Sequence, residues 1–297
     1  IRVIGNPTPA SNDQFGSSVD IDGGQVLVGA RFDDAGTTDS GAAHLFDIAG
    51  GGPVHSFVNP NPASSDTLSD FFGSSVALSG GRALIGALRE DTGGNNAGAA
   101  YLFDTGTGAL QATINNPTPA GNDLYGSSVA LDGNEGLVGA LFDDAVATDA
   151  GSAYLLDATT GAVTGTFNNP ANATFDGFGN AVALDGTRAL IGASRDDTGA
   201  ADAGRAYAID TSTGNVIQTF DNPAPATFDR FGSAVAIDGN LALVGARTDD
   251  AGATDAREAY LFDIDTGTLL HTFENPTPSL GASFGWSVSL SNGRALI

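Results

Sequence analysis

The pair Phe-Gly, once replaced by Tyr-Gly, occurs at Phe15-Gly16, Phe72-Gly73, Tyr125-Gly126, Phe178-Gly179, Phe231-Gly232 and Phe284-Gly285, in steps of 57, 53, 53, 53 and 53 residues. The same text follows each of the central pairs: "FGSSVALSGGRALIGA", "YGSSVALDGNEGLVGA", "FGNAVALDGTRALIGA" and "FGSAVAIDGNLALVGA". An acidic loop comes next, then "GAAYLFD" or a relative, a turn such as "TGTG", and a segment like "HTFENPTP". A fixed period of this length marks one duplicated supersecondary unit, which can bury its apolar face only against its neighbours. No single residue constrains the fold as much as this repetition.

Each repeat reads as four short strands. "SSVAL" alternates small and large residues and runs into an Asp-Gly or Gly-Gly hairpin turn. "RALIGA" is almost wholly apolar, as a strand covered on both faces must be. "AAYLFD" carries an aromatic and ends on aspartate, while "LLHTFEN" is more polar and stops before proline, as an outer edge strand should. No long 3.6-residue period is present. Polarity that rises from the first strand to the fourth, in units of about 50 residues, predicts an all-β protein, a β-propeller of four-stranded blades. About six blades are visible in one domain over 1–297, and seven are compatible with a longer chain. Ile1 aligns with Leu270 and Ile297 with Val244, so the strand at 1–6 is expected to belong to the last blade. Equivalents of residues 245–269 would complete a ring of six.

Charge narrows the partners. The chain carries 11 basic residues, all arginine, against 35 acidic ones, for a net charge of −24. Such a field opposes nucleic acid and anionic membrane surfaces. It suits cations, basic surfaces or a salty medium. Cysteine is absent, which removes disulfides and thiolate metal sites. No apolar run approaches the length of a membrane-spanning helix, so no direct membrane insertion is expected.

The "FGSSVALDG…ALIGA" pattern resembles the FG-GAP repeat of integrin α-chain heads and many bacterial extracellular proteins, over essentially the whole chain. The "ALDGN" form with its "DDTGA…DAG" loops is similar to the bacterial branch. The resemblance implies a propeller used outside the cell or at its surface for adhesion, ligand binding or assembly, generally without catalysis. One departure limits the carry-over. The integrin calcium cage is an alternating D-x-D-x-D-G loop between the first and second strands, where this chain has only "LDGN", "LSGG" or "IDGG". The residue after Gly-Ala is also not proline but Arg31, Leu88, Leu141, Ser194 or Arg247. The "DTGTGAL" and "DATTGAV" turns resemble those of quinone-dependent dehydrogenase propellers, whose blades also repeat a docking tryptophan; this chain has Trp286 alone.

Antiparallel strands joined in order place their second-to-third and fourth-to-first loops on one face. The second-to-third loops align as Asp33, Asp34 and Asp39; Glu90, Asp91 and Asn96; Asp143, Asp144 and Asp149; Asp196, Asp197 and Asp202; and Asp249, Asp250 and Asp255. The fourth-to-first loops add Asp13, Asp70, Asp123, Asp176 and Asp229, giving an expected ring of carboxylates with little local compensation. Two such groups about 4 Å apart near a surface repel by roughly 4 kcal/mol, which a calcium ion seeking six to eight oxygens would relieve. Adjacent aspartates in an extended chain point to opposite sides, so a cage would take one of each pair plus the later one. The aspartate triples, excluding the Glu90 loop, are the candidate metal ligands, and Ca2+ is the candidate ion. The competing reading makes them turn-formers that bond nearby amides and keep the face soluble.

No catalytic constellation emerges. His44 stands where Tyr101, Tyr154, Tyr207 and Tyr260 recur and reads as a packed aromatic; His55 and His271 fall on equivalent outer strands. No histidine recurs beside the serines, so a Ser-His-Asp system is unsupported. Paired carboxylates that repeat in every blade do not make a unique glycosidase centre. Asn172 opens the single "NAT" sequon. The expectation is a non-enzymatic extracellular or cell-surface propeller whose acidic face meets a protein or glycan ligand. A carbohydrate-binding propeller and a structural unit of a larger surface protein or filament are the alternatives. Exposed aromatics recurring in the loops would favour the carbohydrate reading, and the loop text is instead Asp, Thr, Ala and Gly.

Overall fold

The computed structural model describes residues 3–35, 38–62, 69–248, 257–277 and 283–297. Every regular element among them is a strand. The first sheet holds β1 (Phe15–Asp22), β2 (Gln25–Ala30), β3 (Ala42–Asp47) and β4 (Pro53–Val58). The second holds β5 (Phe72–Ser79), β6 (Arg82–Ala87), β7 (Ala99–Asp104) and β8 (Leu110–Asn115). The third holds β9 (Tyr125–Asp132), β10 (Glu135–Ala140), β11 (Ser152–Asp157) and β12 (Val163–Asn168). The fourth holds β13 (Phe178–Asp185), β14 (Arg188–Ala193), β15 (Arg205–Asp210) and β16 (Val216–Asp221). The fifth holds β17 (Phe231–Asp238), β18 (Leu241–Ala246), β19 (Glu258–Asp263) and β20 (Leu269–Glu274). A two-stranded hairpin, β21 (Ser289–Ser291) with β22 (Arg294–Leu296), follows. Each larger sheet runs in sequence order, the meander of a propeller blade. Residues 3–6, expected as a strand, are irregular.

The chain divides into two compact units, Ile1–Val138 with Leu156–Thr164, and Gly139–Leu155 with Gly165–Ile297. In the first, Leu27, Leu45, Phe72, Ile85 and Tyr101 form a buried cluster. In the second, Leu190, Phe220, Phe231, Val244 and Phe262 do the same. Successive blades share these cores. The inward aromatic of a fourth strand packs on the third strand of the next blade: Phe57 lies 4.7 Å from Phe103, and Phe220 lies 4.9 Å from Phe262, ring centre to ring centre.

Burial does not rise steadily towards the first strand. The second and third strands are buried almost throughout, whereas the first strands are half-exposed along one side. The second and third strands have a hydrogen-bonded neighbour on each edge. The first strand has a free edge and must carry polar groups there.

The repeated glycines have a steric cause. The Gly of each "GA" lies against the Gly of the next Phe-Gly: a methyl group on Gly86 would stand 2.1 Å from the Gly126 carbonyl oxygen, and one on Gly192 would stand 2.0 Å from that of Gly232. The Phe-Gly glycine sits in a β-bulge, with register slipping between Phe72 and Ser75 and φ +83° at Gly73. Backbone meets backbone there, so neither position admits a side chain. At the opposite end of the blades, the aspartate of the "LDG" turn reaches across as well. Asp22 accepts from the Gly80 amide at 3.0 Å, and Asp238 accepts from the Gly293 amide at 3.0 Å.

Candidate functional site

The acidic loops are built inward. The first carboxylate of each described loop is buried: Asp33 and Asp143 are 1% exposed, Asp196 2% and Glu90 3%. Its backbone carbonyl closes the loop by accepting from the glycine before the third strand, as in Gly41 to Asp33 at 2.9 Å and Gly204 to Asp196 at 2.9 Å. One carboxylate oxygen accepts the amide two residues on, Ala35 to Asp33 at 2.9 Å and Ala145 to Asp143 at 2.7 Å, which is an Asx turn. The other oxygen meets the third strand. Tyr154 donates its hydroxyl to Asp143 at 2.5 Å, Tyr207 to Asp196 at 3.3 Å and Tyr101 to Glu90 at 3.2 Å. Burial, with the neighbouring carboxylate second, pushes the Tyr101 and Tyr207 hydroxyls well above the ordinary phenol range.

In the first blade His44 fills the tyrosine slot, fully buried, its Nδ1 2.9 Å from Ser56 Oγ and its Nε2 3.6 Å from Asp33. Burial lowers its pKa despite the pull of Asp33. The expectation that it packs as an aromatic holds, with rings at 6.0 Å from Phe15.

The second carboxylate points outward and ties the loop to itself. Asp34 accepts the Asp39 amide at 2.9 Å, Asp144 the Asp149 amide at 2.6 Å and Asp197 the Asp202 amide at 2.8 Å. The third residue turns the chain through the left-handed region, with φ +55° at Asp39, +51° at Asp149 and +53° at Asp202, where aspartate and asparagine fit better than other side chains. Asp249, Asp250 and Asp255 lie outside the described residues. Among the described residues, no three carboxylate or imidazole side chains gather as a metal-ligand set.

The fourth-to-first aspartates correct the expected open ring of carboxylates. Asp13, Asp70, Asp123, Asp176 and Asp229 are 4% exposed or less. Each takes the side-chain amide of the asparagine that ends the fourth strand or its counterpart: Asn6 to Asp13 and Asn59 to Asp70 at 2.6 Å, Asn116 to Asp123 at 2.7 Å, Asn169 to Asp176 at 2.6 Å and Asn222 to Asp229 at 2.8 Å. The asparagine's own oxygen accepts the amide two residues later, Thr118 to Asn116 at 3.0 Å, so the "NPTP" text is a lock. That lock was legible as the spacing of Asn-Pro to Asp, seven residues in four of the five cases. Burial, then Asp196 and Asp197, raise the Asp176 carboxyl to about 6 against the pull of Asn169 and Arg205.

Sequence reasoning missed the basic and aromatic groups among these loops. In the first unit, Arg31 lies 5.3 Å from the Phe32 ring and 5.7 Å from the Phe71 ring, and Arg89 stands 4.3 Å from Phe71. In the second unit, Arg195 lies 4.8 Å from Phe142, Arg230 5.8 Å from Phe228 and Arg247 4.9 Å from Trp286. Among the described residues, three aromatics are exposed by more than half, Phe175 (54%), Phe228 (55%) and Trp286 (60%). Phe175 and Phe228 are held out by left-handed backbone, φ +66° and +71°. The loops are thus not wholly Asp, Thr, Ala and Gly. The signal was present as arginine one or two residues after the strand-ending "GA" in four of five repeats (Arg31, Arg89, Arg195 and Arg247), but it slips by a residue between them and is missing from the third.

A family model described as the FG-GAP repeat matches residues 8–46, 63–103, 110–156, 171–209 and 224–262. The chain belongs to the FG-GAP repeat family. Four of the five FG-GAP matches open between the lock asparagine and its aspartate, the third opens at the start of β8, and all close on the third strand, so the matched unit spans the buried carboxylates and the paired glycines. FG-GAP repeats occur in adhesion and ligand-binding propeller domains and are typically non-enzymatic. No curated protein matched the chain.

Proposed function

We propose that this FG-GAP chain is a non-enzymatic recognition module that works outside the cell or at its surface, in adhesion, ligand binding or assembly. One observation carries the reading. Its conspicuous chemical groups, the loop carboxylates, recur at equivalent junctions and are consumed in the same internal hydrogen bonds. Groups used identically in every blade build a scaffold, whereas a catalytic centre is a single asymmetric constellation. Calcium enters this reading as a loop stabiliser, not a catalyst. Asp144 with Asp149 is its best place, since burial and the Asp144 charge raise the Asp149 carboxyl against the pull of Arg195, and a further cation would offset the repulsion between the two carboxylates. An unchanged melting temperature between millimolar calcium and chelator removes the ion.

The test is a screen of the labelled full chain against intact cells, extracellular proteins and glycans, with hydrolase substrates run alongside. Saturable binding without turnover is the expected result. Turnover abolished by one substitution overturns the proposal. A carbohydrate ligand is the second reading, supported by the exposed Phe175, Phe228 and Trp286.

A further inference from the structure

Arg195, Arg230 and Arg247 come together in the second unit although the chain as a whole carries a net charge of −24. The β17–β18 ladder pairs Phe231 with Ala246, so Arg230 and Arg247 are the next residues at that end of the same strands. Arg195 follows β14 of the preceding blade, whose loop supplies Asp202, and Arg230 donates to Asp202 at 3.0 Å and 3.3 Å. Partial burial lowers the guanidinium pKa of Arg247, and the positive charges of Arg230 and Arg195 lower it further. Arg195 acts on Arg230 in the same direction. Among the described residues, Asp202 is the one carboxylate in ion-pair contact with any of the three. Arg195 and Arg247 rest on the rings of Phe142 and Trp286, contacts that engage the guanidinium faces rather than the N–H edges, and Arg195 also draws on the Asp149 charge.

Trp286 is the second half of the argument. It occupies the position held by Ser17, Ser74, Ser127 and Ser233 in other repeats, and it is 60% exposed. A large exposed indole beside a guanidinium presents a flat apolar face next to anion donors.

We propose that Arg195, Arg230, Arg247 and Trp286 bind a uronic-acid oligosaccharide, with guanidinium N–H groups on its carboxylates and the indole against the C–H face of a sugar ring. A bare carboxylate, as on an acidic peptide, would leave the indole unused. A neutral sugar would leave the guanidiniums unused. A uronate ring uses both, and the planar guanidinium fork fits its carboxylate with two parallel hydrogen bonds. The net charge opposes a long polyanion at distance, but at 0.15 M salt that field decays over about 8 Å. A short oligomer therefore reaches the cluster.

The inference rests on the recognition reading above and names its ligand class. Titration calorimetry of the full chain at 0.15 M salt with a tetragalacturonate tests it, with a neutral galactose tetramer and a tetra-glutamate peptide as comparators. The uronate should bind, R195A/R247A should weaken it at least tenfold, and W286A at least fivefold. R294A, which removes the same charge from β22, should stay within twofold. Equal loss in R294A, or no loss in R195A/R247A, overturns the site. Equal binding of the neutral sugar or the peptide, lost in the same variants, overturns the uronate and leaves recognition standing. Binding of none of the three overturns the inference, and the recognition reading falls with it only if the wider screen is also empty.

Discussion

Replacing Asp176 by asparagine should stabilise the fold at pH 8 and leave it unchanged near pH 3.5. The wild-type carboxyl is 2% exposed and accepts the Asn169 amide at 2.6 Å, a bond that asparagine oxygen can still accept. Burial first, then the charges of Asp196 and Asp197, raise its pKa from 3.8 to about 6. Below pH 3.8 the group is protonated whether folded or unfolded, and its contribution to stability is complete. Between 3.8 and about 6 the folded state keeps the proton that the unfolded state releases, so stability falls as pH rises. Above 6 both states are ionised and the folded one carries the full penalty of a buried charge. The difference amounts to at most about 3 kcal/mol at 1.36 kcal/mol per pH unit. For 297 residues at about 2.1 cal/mol/K each, the unfolding entropy is roughly 0.6 kcal/mol/K, so the melting temperatures should separate by about 5 °C. Paired thermal melts by circular dichroism from pH 3.5 to 8 measure it. The two curves should coincide in acid and part between pH 4 and 6. A gap independent of pH, or a less stable variant at pH 8, refutes the reasoning, because the ionised carboxylate would then be a favourable partner in the fold.

The other predictions concern packing and hydrogen bonding. Gly192→Ala should destabilise the chain by roughly 3 kcal/mol or prevent folding, since its methyl group would stand 2.0 Å from a backbone oxygen. Gly52→Ala, with nothing within 4 Å, should melt within about 2 °C of wild type in the same denaturation series. Tyr154→Phe removes a short charge-assisted hydrogen bond to Asp143 and should cost about 1.5–3 kcal/mol in chemical denaturation. Tyr207→Phe should cost less, because its bond to Asp196 is 3.3 Å long. Asn222→Ala should strip the buried Asp229 of a donor and cost about 1–3 kcal/mol, read as a lower midpoint in urea.

Much of the architecture was legible in the text. Strand identity followed from alternation and from turn residues. The turn reading of "DTGTG" holds in detail: Asp104 accepts from the Thr107 amide at 2.7 Å and Gly108 takes φ +73°. Hydrogen bonds from Thr107 hold the half-buried Asp104 carboxyl below its usual pKa. The opposed directions of Asp33 and Asp34 were also foreseen, since adjacent residues in extended chain face opposite sides. The fate of each carboxylate was not. Sequence counts a charge, but whether it meets water, an amide or a tyrosine depends on partners as far off as Tyr154 is from Asp143, or on another blade altogether.

The sequence by itself determined the repeat, the all-β class, the placement of turns and the glycines that permit close approach, because these rest on local periodicity and local sterics. Tertiary structure alone decided that the fourth-to-first aspartates are a buried lock, that Arg195, Arg230 and Arg247 come within reach of one another's charge, and that Arg247 stands over Trp286. Electrostatics and stacking act through space over a few ångströms. Residues 247 and 286 become neighbours in that sense only once the blades have packed.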